Sequence, residues 1–275
     1  MKIIKAIDSA INFAALVIII FALALSAYAL WDSGRIYREA QTSLTSFEEA
    51  RALNDEVIAW LKINETNINY PVAHTTDNIK YVNTNILGEY SLAGAIFLDY
   101  RNDSDFLDFN SFLYGHHMAK RTMFGELGDF AKPEIFERRK NGILSFGDKD
   151  YSLEFFAFIH ADAYDFKLFS PNILDKNEQT KYLNYINSLA INKRDLKVSI
   201  DDNLVLLITC SSASTNGRDV LIGKISDIEE LKKDETELAR IRIIALTLKI
   251  ILIALIIWRL KNILKDFRTL GRKKI

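Results

Sequence analysis

The chain has 275 residues, with 35 Lys and Arg against 36 Asp and Glu, for a formal net charge of −1. That balance gives no electrostatic reason to expect a nucleic-acid partner. A single cysteine, Cys210, excludes an intrachain disulfide and any zinc site needing two cysteine ligands from this chain. The length accommodates one core of about 200 residues plus appended segments.

Residues 1–8 carry Lys2 and Lys5, and Ser9 to Trp31 then runs without a charged side chain. About 23 apolar residues at 1.5 Å each cross a ~30 Å hydrocarbon core, so 9–31 is expected to be a membrane anchor in contact with lipid. With lysines before it and Asp32 after it, the positive-inside bias places the N-terminus in the cytoplasm and the following chain outside. Ala27-Tyr28-Ala29 resembles a signal-peptide cleavage site, but the apolar stretch is longer than a typical ~7–15 residue h-region, which favours an uncleaved anchor.

From about Gly34 to Leu61, helix-forming residues with Leu44, Phe47, Ala50 and Leu53 at helical spacing predict one or two connecting helices, with 32–54 as the connector. The texture then changes to short β-rich runs: WLKI, INYPV, GAIFLD, SFLYGH, ILSFGD, YSLEFFAFIHA, LVLLITC and VLIGKI, each bounded by Asn, Asp, Gly or Lys. Many short strands at this spacing predict a mainly β domain over 55–228, a closed barrel or sandwich rather than a parallel α/β sheet. Two insertions interrupt it, around Met123 to Arg139 and at Asn177 to Ala190, where Tyr182, Ile186 and Leu189 share a helical face.

After a linker at 229–240, residues 241–258 are again apolar despite Arg242 and Lys249, and the tail 259–275 is densely basic. A mid-bilayer lysine costs about 2.5–3.5 kcal/mol, which ~13 apolar neighbours offset. The expectation is a second span that returns the C-terminus to the cytoplasm; a helix lying on the membrane surface is the alternative.

Cys210 ends the apolar run Leu204 to Thr209 and precedes the polar stretch SSASTNGR. A thiol at the exit of a buried strand is held rigidly yet reachable, which suits a nucleophile, although free cysteine is also among the most buried residue types. At neutral pH an unperturbed thiol is only a few per cent thiolate, so efficient attack needs an imidazole or a cation nearby. Among His74, His116, His117 and His160, the adjacent pair His116 and His117 follows a strand-like run and a glycine. Consecutive side chains on an extended chain point to opposite faces, so these two are not expected to share a metal ion. Arg218 opens the strand after Cys210, from where a guanidinium could stabilise an oxyanion, an effect worth about 3–4 kcal/mol.

These residues resemble the sortases, extracellular cysteine transpeptidases of Gram-positive bacteria. Tyr114-Gly115-His116 is similar to the family's histidine motif, Leu207-Ile208-Thr209-Cys210 to most of its TLxTC signature, and Arg218 to the arginine on the following strand. Val57 to Ile63, Ile68 to Val72, Gly94 to Asp99 and Met123 to Leu127 match family landmarks in order, so the resemblance covers about residues 55–226. It implies an eight-stranded barrel. It also implies attack by Cys210 on a threonine carbonyl in a C-terminal sorting signal, with His116 as acid and base and Arg218 holding substrate and oxyanion. Tyr114, Thr209 and Ser212 are the candidate substrate contacts. No metal or other cofactor is implied.

The helical approach to the barrel and the helix expected near 177–190 resemble class B. Leu206 departs from the signature's threonine, and Ser212 stands where some class B members carry an acidic residue. The second apolar segment resembles the pilin-polymerising members. Expected partners are therefore surface proteins or pilins bearing sorting signals, and an amine acceptor: a pilin lysine ahead of a peptidoglycan cross-bridge. A plain cysteine protease and a non-catalytic membrane scaffold with a sortase-like ectodomain are the other readings.

Overall fold

The computed structural model describes residues 2–40, 44–211 and 214–228. The chain forms two compact units, Met1–Ser226 and Asp227–Ile275. The expected second span, its flanking linker and basic tail, and Ser212 lie outside the described residues.

Helix α1 (Lys2–Ala40) contains Ile11–Arg35, a 25-residue stretch long and apolar enough to cross a membrane, with none of its most apolar window buried. Helix α2 (Phe47–Leu53) is started by Ser46, whose side chain accepts from the Glu49 N–H, and its Phe47 and Ala50 are buried. Asn54 ends it in an extended conformation. The helical expectation up to Leu61 ran too far: Val57–Ile63 is strand β1, because β-branched Val57 and Ile58 and the ladder to the next strand outweigh local helix propensity.

The remaining strands are β2 (Asn69–Ala73), β3 (Ile96–Leu98), β4 (Asn110–Tyr114), β5 (Asn141–Phe146), β6 (Lys149–Asp162), β7 (Asn192–Lys193), β8 (Leu204–Cys210) and β9 (Gly217–Asp227). Their order is β5-β1-β2-β3-β4-β8-β9-β6-β7, and a further β5–β6 pairing closes the first eight into a barrel. The two-residue β7 hangs on β6 at Ala157 and Phe158. Closure leaves those eight strands without a free edge. The Met123 to Arg139 insertion is two short helical pieces, the second being α3 (Pro133–Arg138) with proline in its first turn.

Strand β8 organises the core. Its residues Leu204 to Thr209 are all buried, and only Cys210 is exposed. Val205 and Leu207 face the barrel interior with Leu61, Leu113 and Leu221. Leu206 and Ile208 face outward into a second apolar cluster with Tyr182 and Ile186 of α4 (Lys176–Leu189). Burial on both sides explains why β8 reads as an uninterrupted apolar run rather than an alternation. The cover itself is well anchored: Asp175 caps α4 by accepting from the Asn177 and Glu178 N–H groups, and the Tyr182 hydroxyl donates to the Leu168 carbonyl at 2.7 Å.

Each fully buried aliphatic side chain of β8 contributes roughly 1.5–3 kcal/mol through its removal from water. Leu207→Ala is therefore expected to lower unfolding free energy by about 2–5 kcal/mol, read by denaturant unfolding.

Candidate active site

Strand register assembles the site. Strand β8 lies between β4, which runs parallel to it, and β9, which runs antiparallel. Across β9, Cys210 pairs with Arg218, and the Ser211 N–H donates to the Gly217 carbonyl at 2.8 Å. That bond brackets Cys210 and Arg218 as a non-hydrogen-bonded pair, the kind in which opposed side chains approach most closely, with Cα atoms about 4.5 Å apart. Across β4, Tyr114 pairs with Ile208, and the Gly115 N–H donates to the Ile208 carbonyl at 3.2 Å. Two residues beyond the end of that ladder, His116 lines the same cleft as Cys210, whereas His117 is not among the residues that line it.

The local backbone is specified by small residues. A Cβ on Gly115 would overlap the Ile96 side chain and the Phe124 ring, so only glycine lets the chain turn from β4 into His116. Gly94, at φ +60°, lies against the Tyr81 and Val82 carbonyls. The Val82 carbonyl accepts from His116 Nε2 at 2.8 Å. Because a carbonyl can only accept, this bond places a proton on Nε2 and leaves Nδ1 as the basic atom of the neutral ring. His117 instead forms a backbone bridge with Met123, and its buried Nδ1 has no hydrogen-bond partner among the described residues.

A cleft of about 340 Å³ is lined by Cys210, His116, Arg218, Tyr114 and Thr209, together with Asn78 and Phe97 among others. Of the six candidate site residues, five therefore meet around one cavity. Thr209 reaches it differently from the rest. Alternation turns its side chain inward with Val205 and Leu207, and the hydroxyl is buried without a hydrogen-bond partner among the described residues. Its contact with a bound chain would come from backbone, not from an exposed hydroxyl. His160 is set apart from this outer face: its Nδ1 donates at 2.6 Å to buried Asp219, which lies opposite Thr209 in the ladder. Among the described residues no cluster of three or more metal-ligating side chains occurs.

Two residues that sequence reasoning passed over support the cleft. Asp99 is fully buried and Asn78 lines the cavity. Burial works against the charge on Asp99, but hydrogen bonds from the Arg101 side chain and backbone and from Asn78 outweigh it and hold the carboxyl below its usual range. Burial, and then the Asp99 charge, push the Tyr114 phenol well above its usual range, so it stays protonated and donates to Asp99. The available signal was a charged residue closing the apolar run Ala95 to Leu98, a poor place for an unpartnered carboxylate.

No family model matches the chain. A curated relative, Sortase B of Staphylococcus aureus, is 31% identical over 183 residues, covering 65% of this chain and 74% of its own length. The crystal structure of a class B sortase of Streptococcus pyogenes involved in pilus biogenesis is 36% identical with a TM-score of 0.61, and the match covers 66% of this chain and 98% of that one. Sortase B from the type II pilus of Streptococcus pneumoniae is 37% identical with a TM-score of 0.59, covering 66% and 99%. Sequence similarity over most of a relative's length, together with the same barrel, establishes that the chain belongs to the sortase family and is class B-like.

Proposed function

We propose that the protein is a membrane-anchored cysteine transpeptidase that cleaves a sorting signal of pilins or surface proteins and transfers the acyl group to an amine. The observation that carries this reading is the convergence of three side-chain types around one cleft. Cys210 is at the exposed end of β8, with Arg218 opposite it on β9 and His116, after β4, lining the same cleft.

In this reaction His116 takes the thiol proton as the Cys210 sulfur attacks the carbonyl carbon of threonine, and it delivers that proton to the departing amine as the amide C–N bond breaks, leaving a thioester on Cys210. An incoming amine attacks that thioester and passes a proton to His116; the C–S bond breaks to give a new amide, and His116 returns the proton to the departing thiolate. Arg218 offers a fixed donor fork to the oxyanion in both halves. Tyr114, kept protonated, and Asn78 are placed to contact the bound peptide.

A pilin lysine is the favoured amine. Both pilus-associated sortases named above support it, as does the second apolar segment of the sequence. Anchoring to a peptidoglycan cross-bridge is the competing outcome. The catalytic domain is read as extracellular, tethered through α1.

In an assay with sorting-signal peptides and added amine, Cys210→Ala is expected to abolish turnover, and amine should divert product from acid to amide. Unchanged turnover in Cys210→Ala, or amine that never enters product, would refute the reading. His116→Ala should lower kcat by at least about 100-fold while His117→Ala stays within about threefold of wild type. Arg218→Lys should also be strongly impaired, because a point charge does not reproduce the planar fork.

The pH dependence follows from two shifts. A carboxyl held low contributes stability that is complete above its unfolded value, near pH 4, and is lost only as pH falls through the lower folded value. The Tyr114 phenol is shifted the other way, upward. Neither group should add a limb to the pH–rate profile between about pH 5 and 9. The check is that Tyr114→Phe leaves the apparent pKa values of kcat/KM unchanged.

A further inference from the structure

Asp99 follows β3, and its carboxylate is the meeting point of three separate segments. The Tyr114 hydroxyl at the end of β4 donates to Oδ2 at 3.0 Å, and Asn78 Nδ2 in the β2–β3 connection donates to the same oxygen at 3.0 Å. Arg101 forks onto both oxygens at 2.8 Å and adds its backbone N–H at 3.0 Å. The orientation of Asn78 is fixed from both ends, since its Oδ1 accepts the Tyr100 N–H at 3.0 Å. The Asn78 amide therefore cannot flip without losing both bonds.

Two of the anchored side chains, Tyr114 and Asn78, line the catalytic cleft. The connection that carries Asn78 also carries Val82, whose carbonyl holds the His116 ring. Thus one carboxylate with no exposed surface, neutralised by the half-exposed Arg101 guanidinium at 2.8 Å, is tied both to the cleft wall and to the segment that orients the candidate acid and base. Hydrogen bonds to an ionised group are roughly twice as strong as neutral ones. An apolar side chain at this position would leave the Tyr114 hydroxyl and the Asn78 amide without this anchor. Packing alone does not call for a fully buried charge here, since a hydrophobic residue of similar size would fill the space without the desolvation cost.

We propose that Asp99 is a positioning residue for the reaction: by fixing Tyr114 and Asn78 to a single buried carboxylate, it sets the shape of the cleft that receives the peptide. It touches neither peptide nor thiol. The proposal rests on the reading of this cleft as a peptide site.

The test uses fluorogenic peptides with a fixed threonine at the scissile position and randomised neighbours, on the full-length protein in detergent micelles. Kinetics are compared for wild type, Tyr114→Phe, Asp99→Asn and the double variant, on the peptide that wild type cleaves fastest. Each single variant should lose roughly tenfold in kcat/KM, mainly through KM. The double variant should lose clearly less than the product of the two single losses, because both remove the same anchor. The rate at which iodoacetamide alkylates Cys210 should stay within about twofold of wild type in all four proteins, a result that general damage to the fold would not give.

Wild-type kinetics in Tyr114→Phe, losses that multiply, or an alkylation rate that falls in step with turnover would overturn the positioning role. If Asp99→Asn does not fold, the Tyr114→Phe and Asn78→Ala pair replaces it, with the same two outcomes for additivity. A wild type that cleaves no peptide would sink the transpeptidase reading and this proposal with it. A wild type that cleaves while the variants match it would sink this proposal alone.

Discussion

The site depends on burying β8 on both faces. Inside the barrel, Val205 and Leu207 pack with Leu61, Leu113 and Leu221; outside, Leu206 and Ile208 pack beneath α4. A one-residue slip of β8 against either neighbour would exchange these two sets and turn Cys210 inward. Register here is therefore specified by roughly 1.5–3 kcal/mol for each of several side chains. The reactive geometry follows from it. Because β8 is flanked by a parallel and an antiparallel neighbour, the end of one strand gathers side chains from regions about 94 positions apart in sequence on one side and eight on the other.

Polar groups around this apolar frame divide the labour by face. On the outer face Cys210 is open to solvent, His116 is oriented by a carbonyl and Arg218 sits across the ladder. On the inner face Asp219 is closed off by His160, and Thr209 and Ser111 keep buried hydroxyls without hydrogen-bond partners among the described residues. The alternation of an extended chain is enough to keep the two sets apart, since neighbours in sequence such as Arg218 and Asp219 point to different environments. Asp99 is the exception that links layers. It is a buried charge whose donors come from β4, from the β2–β3 connection and from the residues that follow it.

Much of this was legible in the sequence, for reasons that can be named. Strand β8 announced itself because burial on both faces leaves a seven-residue apolar run that ends at the only cysteine. Gly115 before His116 signalled a close approach, and the choice of His116 over His117 came from the resemblance of Tyr114-Gly115-His116 to the family's histidine motif, while strand alternation argued only against a metal ion shared by the two. Helix α4 was visible from the spacing of Tyr182 and Ile186. The start of β1 was obscured because helix formers continue up to it and the deciding interaction, its ladder to β2, is not local. Asp99 escaped for the same reason: its partners Tyr114 and Asn78 lie 15 and 21 residues away, and no local pattern encodes that meeting. The two-residue β7 is too short to carry any periodicity.

Register alone sets Arg218 against Cys210 on the outer face of β8 and β9. Because the chain has a single native cysteine, this placement can be tested by cross-linking without background. A cross-strand, non-hydrogen-bonded pair falls within the Cα separation of about 4.4–6.8 Å that a disulfide needs. Under mild oxidation Arg218→Cys should form an intramolecular disulfide with Cys210, seen in intact mass and reversed by reductant, while Asp219→Cys should not. A disulfide in Asp219→Cys and none in Arg218→Cys would contradict the register on which the whole site is built.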